Sequence, residues 1–268
     1  MSTKSGYTEW MFGLYNTRTG LIIDDDTGKC SVLTANSPVA LTIYSDDAGT
    51  SKTNPATFSN GIVRFWTADT VTSLDLSVMT AKGQAYFLED VTPSMHRIDV
   101  DPDQRRFTLV ASLDPSATPN TDTGFDFPAQ CLIRPEDVHL YVSTAIGTAG
   151  RRVSIGILAT ETGGDADGFM KSVNCETTGN KSVLPSTAQK TIGGSTADTY
   201  ITGNSNGSPG ALVATVDYGV ATLSADSGGY APKQYVTDGT AKSLAYMTID
   251  TTVAGYIFVS YEKLPSLS

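Results

Sequence analysis

Ala56-Thr57-Phe58-Ser59-Asn60-Gly61-Ile62-Val63-Arg64-Phe65-Trp66-Thr67 carries the clearest structural signal in this chain. Asn-Gly supplies two residues that tolerate positive φ, as a tight type I′ turn requires. Short apolar-polar runs flank it, so the stretch predicts a hairpin joining Ala56–Ser59 to Ile62–Thr67. Phe65 and Trp66 are adjacent on the second arm, so one faces the core and the other leaves it.

The same grammar extends both ways. Leu21-Ile22-Ile23 enters the acidic turn Asp24-Asp25-Asp26-Thr27-Gly28, and Cys30–Leu33 is expected to return as a hairpin strand. Asp suits such a tip because it tolerates turn geometry and caps backbone amides. Val39–Tyr44 precedes the turn Ser45–Gly49. Leu74, Leu76 and Val78 alternate with Asp75 and Ser77, and Gln84–Leu88 returns after Lys82-Gly83. His96–Val100 and Phe107–Leu113 bring the first half to about eight strands, the spacing of a sandwich.

Asp114–Asp122 contains two prolines, small polar residues and no periodicity, and is the expected linker. The fold class expected is all-β, with two sandwich or jelly-roll-like domains in tandem. These are residues 1–113 and a loop-rich second domain, 123–268. In the second, strands are expected at Phe125–Leu132, Val138–Thr144 after the turn Arg134–Asp137, Arg152–Thr160, Leu212–Val216, Ser243–Ile249 and Gly255–Glu262. The last is apolar on both faces and is expected to be central or covered. Phe169–Val173 is expected to form one short turn.

Composition limits the chemistry. Ser and Thr supply 63 of 268 residues, against two histidines and three cysteines. The formal net charge of −10 opposes binding to nucleic acid phosphates or to an anionic membrane surface. Cys30, Cys131 and Cys175 lack metal spacing, and Cys131 in Cys131-Leu132-Ile133 is expected to be a small buried hydrophobe. Met1–Gly6 has no apolar signal core and no run approaches membrane-spanning length, so synthesis in a reducing cytoplasm is expected.

Asp99, Asp101 and Asp103 alternate and could share one face as ion ligands or a carboxylate pair. Pro102 and Arg105-Arg106 instead favour an exposed, partly neutralised turn. Asp165-Ala166-Asp167-Gly168 begins like a calcium loop but lacks a third oxygen ligand and the closing Glu. No G-x-S-x-G, P-loop or dinucleotide fingerprint occurs, and His96 and His139 are expected at the surface. Glu9-Trp10-Met11-Phe12-Gly13-Leu14-Tyr15 packs bulky groups on both faces. Trp10, Met11, Phe12 and Trp66 are therefore the candidate interface residues, although Trp10 and Phe12 could instead close their own core.

Three stretches carry a resemblance. They are Asn60–Ala68 leading into Thr72–Leu76 and Gly83–Tyr86; Asp122–Ala129 with Ile155–Leu158 and Glu161–Phe169; and Ala254–Tyr261. In them the chain resembles a loose group of virion accessory proteins from tailed bacteriophages, especially marine and cyanobacterial ones. The resemblance implies a non-enzymatic particle protein without cofactors. Its partner would be the major capsid protein, and it would decorate or cement the outer head as a homo-oligomer, with a trimer favoured. The alternative is a head or tail fibre recognising a host glycan or surface protein through loops of residues 161–240.

Overall fold

A computed structural model describes residues 6–113, 121–129, 131–145, 152–158, 160–161, 169–175, 177–182, 235–236, 241–248 and 253–264. Among them there is no helix, and the chain is all-β. Two compact units divide at Val110/Ala111. That division precedes the expected linker, whose last residues, Thr121 and Asp122, are strand paired with Tyr246 and Ala245. Residues 114–120 lie outside the described residues.

The first unit contains β1 (Tyr7–Asn16), β2 (Lys29–Thr34), β3 (Ile43–Tyr44), β4 (Ser51–Lys52), β5 (Ala56–Thr57), β6 (Ile62–Ala68), β7 (Leu74–Met79), β8 (Ala85–Val91) and β9 (Arg97–Val100). One sheet runs β4-β3-β6-β1-β9 and the other β5-β2-β7-β8. They share a core in which Trp10, Phe12, Val63, Phe65 and Ile98 of the first sheet meet Cys30, Val32, Leu74, Leu76 and Val78 of the second. Trp10, Phe12 and Phe65 stack with centroids 6.1–6.4 Å apart. The buried Trp10 indole N–H donates to Thr67 Oγ1 at 2.8 Å, which lets a polar ring end sit in an apolar layer.

Asn60-Gly61 forms its turn with φ of 50° and 72°, and Ser59 bridges Ile62. The predicted hairpin arms nevertheless separate. β5 pairs with β2, whereas β6 pairs with β1 and β3, so the turn is a corner between sheets. Asp25 and Asp26 hold that corner: Gly61 N donates to the Asp25 carbonyl at 2.8 Å and Asn60 N to Asp26 Oδ1 at 2.6 Å. A Cβ on Gly61 would lie 1.9 Å from the Ile23 carbonyl oxygen. Residues 21–23 likewise do not pair with β2. Ile22 makes one bridge, to Tyr15, and β2 takes β5 and β7 as neighbours. The predicted β7–β8 hairpin does form.

β10 (Arg106–Leu113) carries the chain across the division. Then come β11 (Thr121–Phe127), β12 (Cys131–Thr144), β13 (Arg152–Ile157), β14 (Met170–Asn174), β15 (Gly179–Ser182), β16 (Tyr235–Val236), β17 (Lys242–Thr248) and β18 (Ala254–Lys263). Their sheets run β10-β18-β12-β15, with β16 on β12, and β11-β17-β13-β14. The predicted turn Arg134–Asp137 is strand: β12 continues through it, and its register on β18 shifts between Ile133 and Val138. Pro135, which has no N–H to give a ladder, falls within that irregularity. Of the turn expected at Phe169–Val173, residues 170–173 instead belong to β14, which pairs with β13. β18 is central, and Ile257, Val259 and Tyr261 are buried along it. Cys131 is buried too. The predicted strand at 212–216 lies outside the described residues.

Both units nest their long-range pairs. β2 joins β7 in one sheet while β3 joins β6 in the other; β12 joins β18 in one and β13 joins β17 in the other.

Candidate functional site

Alternation along β1 and β6 decides which candidate interface residues are available. Trp10 and Phe12 are 0 % and 1 % exposed inside the first unit's own core. They offer no surface to a partner, which corrects their assignment to an interface. Met11, at 45 %, and the half-buried Trp66 stand on the opposite face of the same sheet.

Register fills in the rest of that face. Glu9 lies opposite Trp66, Met11 opposite Arg64, and Tyr44 extends the row beyond Trp66. On the other side β9 runs parallel to β1, placing Arg97 beside Gly13 and Asp99 beside Tyr15. Two similar groups result. The Arg64 guanidinium pairs with Glu9 and lies over the Trp66 ring, 4.7 Å from its centroid. The Arg97 guanidinium pairs with Asp99 at 2.5 Å and lies over the Tyr15 ring at 4.6 Å. Gly13 makes room for the second group, because a Cβ there would meet Tyr15 Cε2 at 2.9 Å. Met11 stands between the two.

Each carboxylate fixes an Arg and each Arg caps a ring, so the side chains are held flat against the sheet. The covered ring faces are poor stacking platforms for a sugar. A flat protein surface fits such a face better. Glu9, Arg64, Tyr15 and Arg97 do not stand out in the sequence as interface residues, although a signal is there: Arg64 and Trp66, like Glu9 and Met11, are two apart and share a face.

The remaining candidates disperse. Asp99 is tied to Arg97 and Asp103 to Arg18, while Asp101 Oδ1 accepts the Asp103 N–H at 3.0 Å. Among the described residues no three His, Cys, Asp or Glu side chains gather to hold an ion. Asp165 and Asp167 lie outside them. His96 and His139 are exposed, and His96 Nδ1 lies 3.2 Å from the Met11 carbonyl. The three free cysteines are buried, and burial pushes the Cys30 thiol up to about 12 despite the nearby Lys52 ammonium.

One polar cluster has no sequence signature because its members come from distant segments. Ser243 Oγ lies 2.7 Å from both Asp126 Oδ1 and Glu161 Oε1, and its single proton is shared between the two carboxylates. The Ser243 N–H also points to Glu161 at 3.1–3.2 Å, and Leu158 N donates to the Ser243 carbonyl at 3.0 Å. These bonds pin Leu158 and Glu161 to β17, which is a structural task.

No family model matches this sequence, and no curated protein or solved structure matches it.

Proposed function

We propose that this chain is a structural, non-enzymatic protein of a tailed-phage particle. In this reading it is a decoration or cement protein that binds the outer surface of the head and assembles as a homo-oligomer. The observation that carries the reading is the open face of the first sheet. There two acid–arginine–aromatic groups flank Met11 on a flat, exposed surface suited to protein contact. The resemblance of the hairpin segments to virion accessory proteins supplies the particle. Nested long-range pairs of this kind also occur in jelly rolls, which are common in viral capsid and lectin domains, and they support the reading by analogy. Cement acts by area: apolar burial at about 25 cal/mol per Å², repeated over many sites, holds a shell without any single strong contact.

The lectin half of that analogy keeps a fibre reading in play, with residues 161–240 meeting a host glycan. Particles made without the protein separate the two. Cement predicts lost heat and osmotic resistance, normal adsorption, and recovery on adding purified protein, with label on the head lattice. Stable particles that fail to adsorb, with label at a fibre or tail tip, would overturn it.

A further inference from the structure

We propose that the open face of the first sheet pairs with the same face of a second copy of this chain, about a two-fold axis passing beside Met11. This inference rests on reading that face as a protein-binding surface, and it names the occupant.

Charge argues for a second copy. The chain carries a net charge of −10, so two copies repel at long range. On this face, however, Glu9 and Asp99 offset Arg64 and Arg97 within two paired groups. Copies can therefore approach here without unpaired like charges from these groups meeting. A strongly basic partner would gain nothing from so neutral a face.

Position supplies the symmetry. The Glu9–Arg64–Trp66 group lies toward the start of β1, and the Asp99–Arg97–Tyr15 group toward its end, with Met11 between them. A half-turn about an axis lying in the face near Met11 exchanges the two ends. Each group of one copy then meets the other group of its mate, and Met11 meets Met11. An isologous contact needs this kind of self-complementarity, and two-fold dimers are the commonest closed assemblies.

The test uses the full-length protein. Light scattering after size exclusion is expected to give a dimer or a larger assembly built from dimers. Its population should rise with added salt, because screening weakens the net repulsion more than the apolar contact. Met11→Asp places like charges across the axis and is expected to weaken association by about tenfold or more, with a melting temperature equal to the parent's when both are dilute enough to be monomeric. Met11→Cys is expected to give a disulfide-linked dimer under mild oxidation, since an axial residue meets its own copy. Val39→Cys, equally exposed at 45 % in the loop after β2, should not. The buried native cysteines stay silent in both.

A monomer at every concentration and salt, a trimer in place of the dimer, or equal cross-linking at both positions overturns the pairing. A monomer whose Met11→Asp variant no longer binds isolated heads assigns the face to the shell instead; the pairing then fails while the particle reading stands. A Met11-dependent dimer that binds no phage particle supports the pairing and removes the particle reading.

Discussion

β6 and β7 are successive strands with the same written pattern and opposite fates. In β6, Val63, Phe65 and Thr67 are buried while Ile62, Arg64, Trp66 and Ala68 stay open to varying degrees. In β7, Leu74, Leu76 and Val78 alternate with Asp75 and Ser77 just as cleanly, yet all six residues are buried. The polar face of β7 is satisfied inside the protein. Asp75 accepts from the backbone N–H groups of Asn36 and Asp90, both at 2.9 Å, and Ser77 Oγ donates to the Val110 carbonyl. Asn36 and Asp90 both have positive φ, so one buried carboxylate fixes two uncommon backbone conformations. Alternation thus states which residues share a face. It does not state what that face meets.

The largest effect that sharpens this contrast lies within β6. Phe65→Ala is expected to cost about 3–5 kcal/mol in the urea unfolding of the first unit, as for other buried aromatics. Trp66→Ala, one residue on, should cost roughly 1 kcal/mol, mostly from its contact with Arg64. Equal losses would mean that Trp66 is as much a core residue as Phe65.

Polar positions come next. Asp75→Ala takes the acceptor from two part-buried N–H donors at a fully buried position and is expected to cost about 1–3 kcal/mol. Asp99→Ala, on the open face, should stay within about 0.5 kcal/mol. If Asp75→Ala proved as mild as Asp99→Ala, the covered face of β7 would be open to water after all.

Alkaline pH gives a smaller effect with a definite sign. Burial raises the Tyr86 hydroxyl from 10.0 to about 12, only partly countered by a nearby backbone group of Asp101, and its oxygen makes no hydrogen bond of good geometry. Cys30 is raised from 9.0 to about 12 by burial. In the unfolded chain both ionise near their ordinary values, so rising pH favours unfolding between about 9 and about 12. Tyr86→Phe removes one of the two groups and an unbonded hydroxyl. Its urea midpoint is expected to match or exceed the parent's at neutral pH, and to fall less steeply above pH 10. An equal slope would show that Tyr86 ionises freely in the native state.

The smallest effect concerns the open face itself. Glu9→Gln loosens Arg64 from its exposed partner and should change stability by less than about 0.5 kcal/mol, with no more than a weak salt dependence. A larger loss would mark the Glu9–Arg64 pair as part of the fold, and would remove the reason to read it as part of a docking surface.

Local features of the fold are legible in the amino-acid sequence. Asn60-Gly61 makes the turn its residues require, and Asp25 and Asp26 cap amides as acidic turn residues do. Leu74–Met79 and Ala85–Val91 form the predicted hairpin around Gly83. The failures share a cause. A tight turn fixes the local direction of the chain, but the flanking residues can find better partners in other strands. Ala56 therefore pairs with Cys30, and Trp66 with Glu9. Residues 170–174 form a strand because β13 offers a ladder, not because their own pattern demands it. Legibility of the candidate face is similarly partial. Trp66 leaving the core follows from Phe65 entering it, whereas Trp10 and Met11 can be sorted only once β1 has a sheet and a side.

By itself the sequence determined the class of this protein. Short alternating runs closed by Gly, Asn and Asp turns can bury their apolar sides only as strands. Tertiary structure decided the partners. It turned a hairpin into a corner, drew Asp75 and Ser77 inward, and buried Trp10 and Phe12 while leaving Met11 and Trp66 outside. The physical reason is that side-chain period is local, fixed by two bonds per residue. Strand pairing and face coverage are long-range, and depend on which distant segment satisfies each backbone edge and each apolar face.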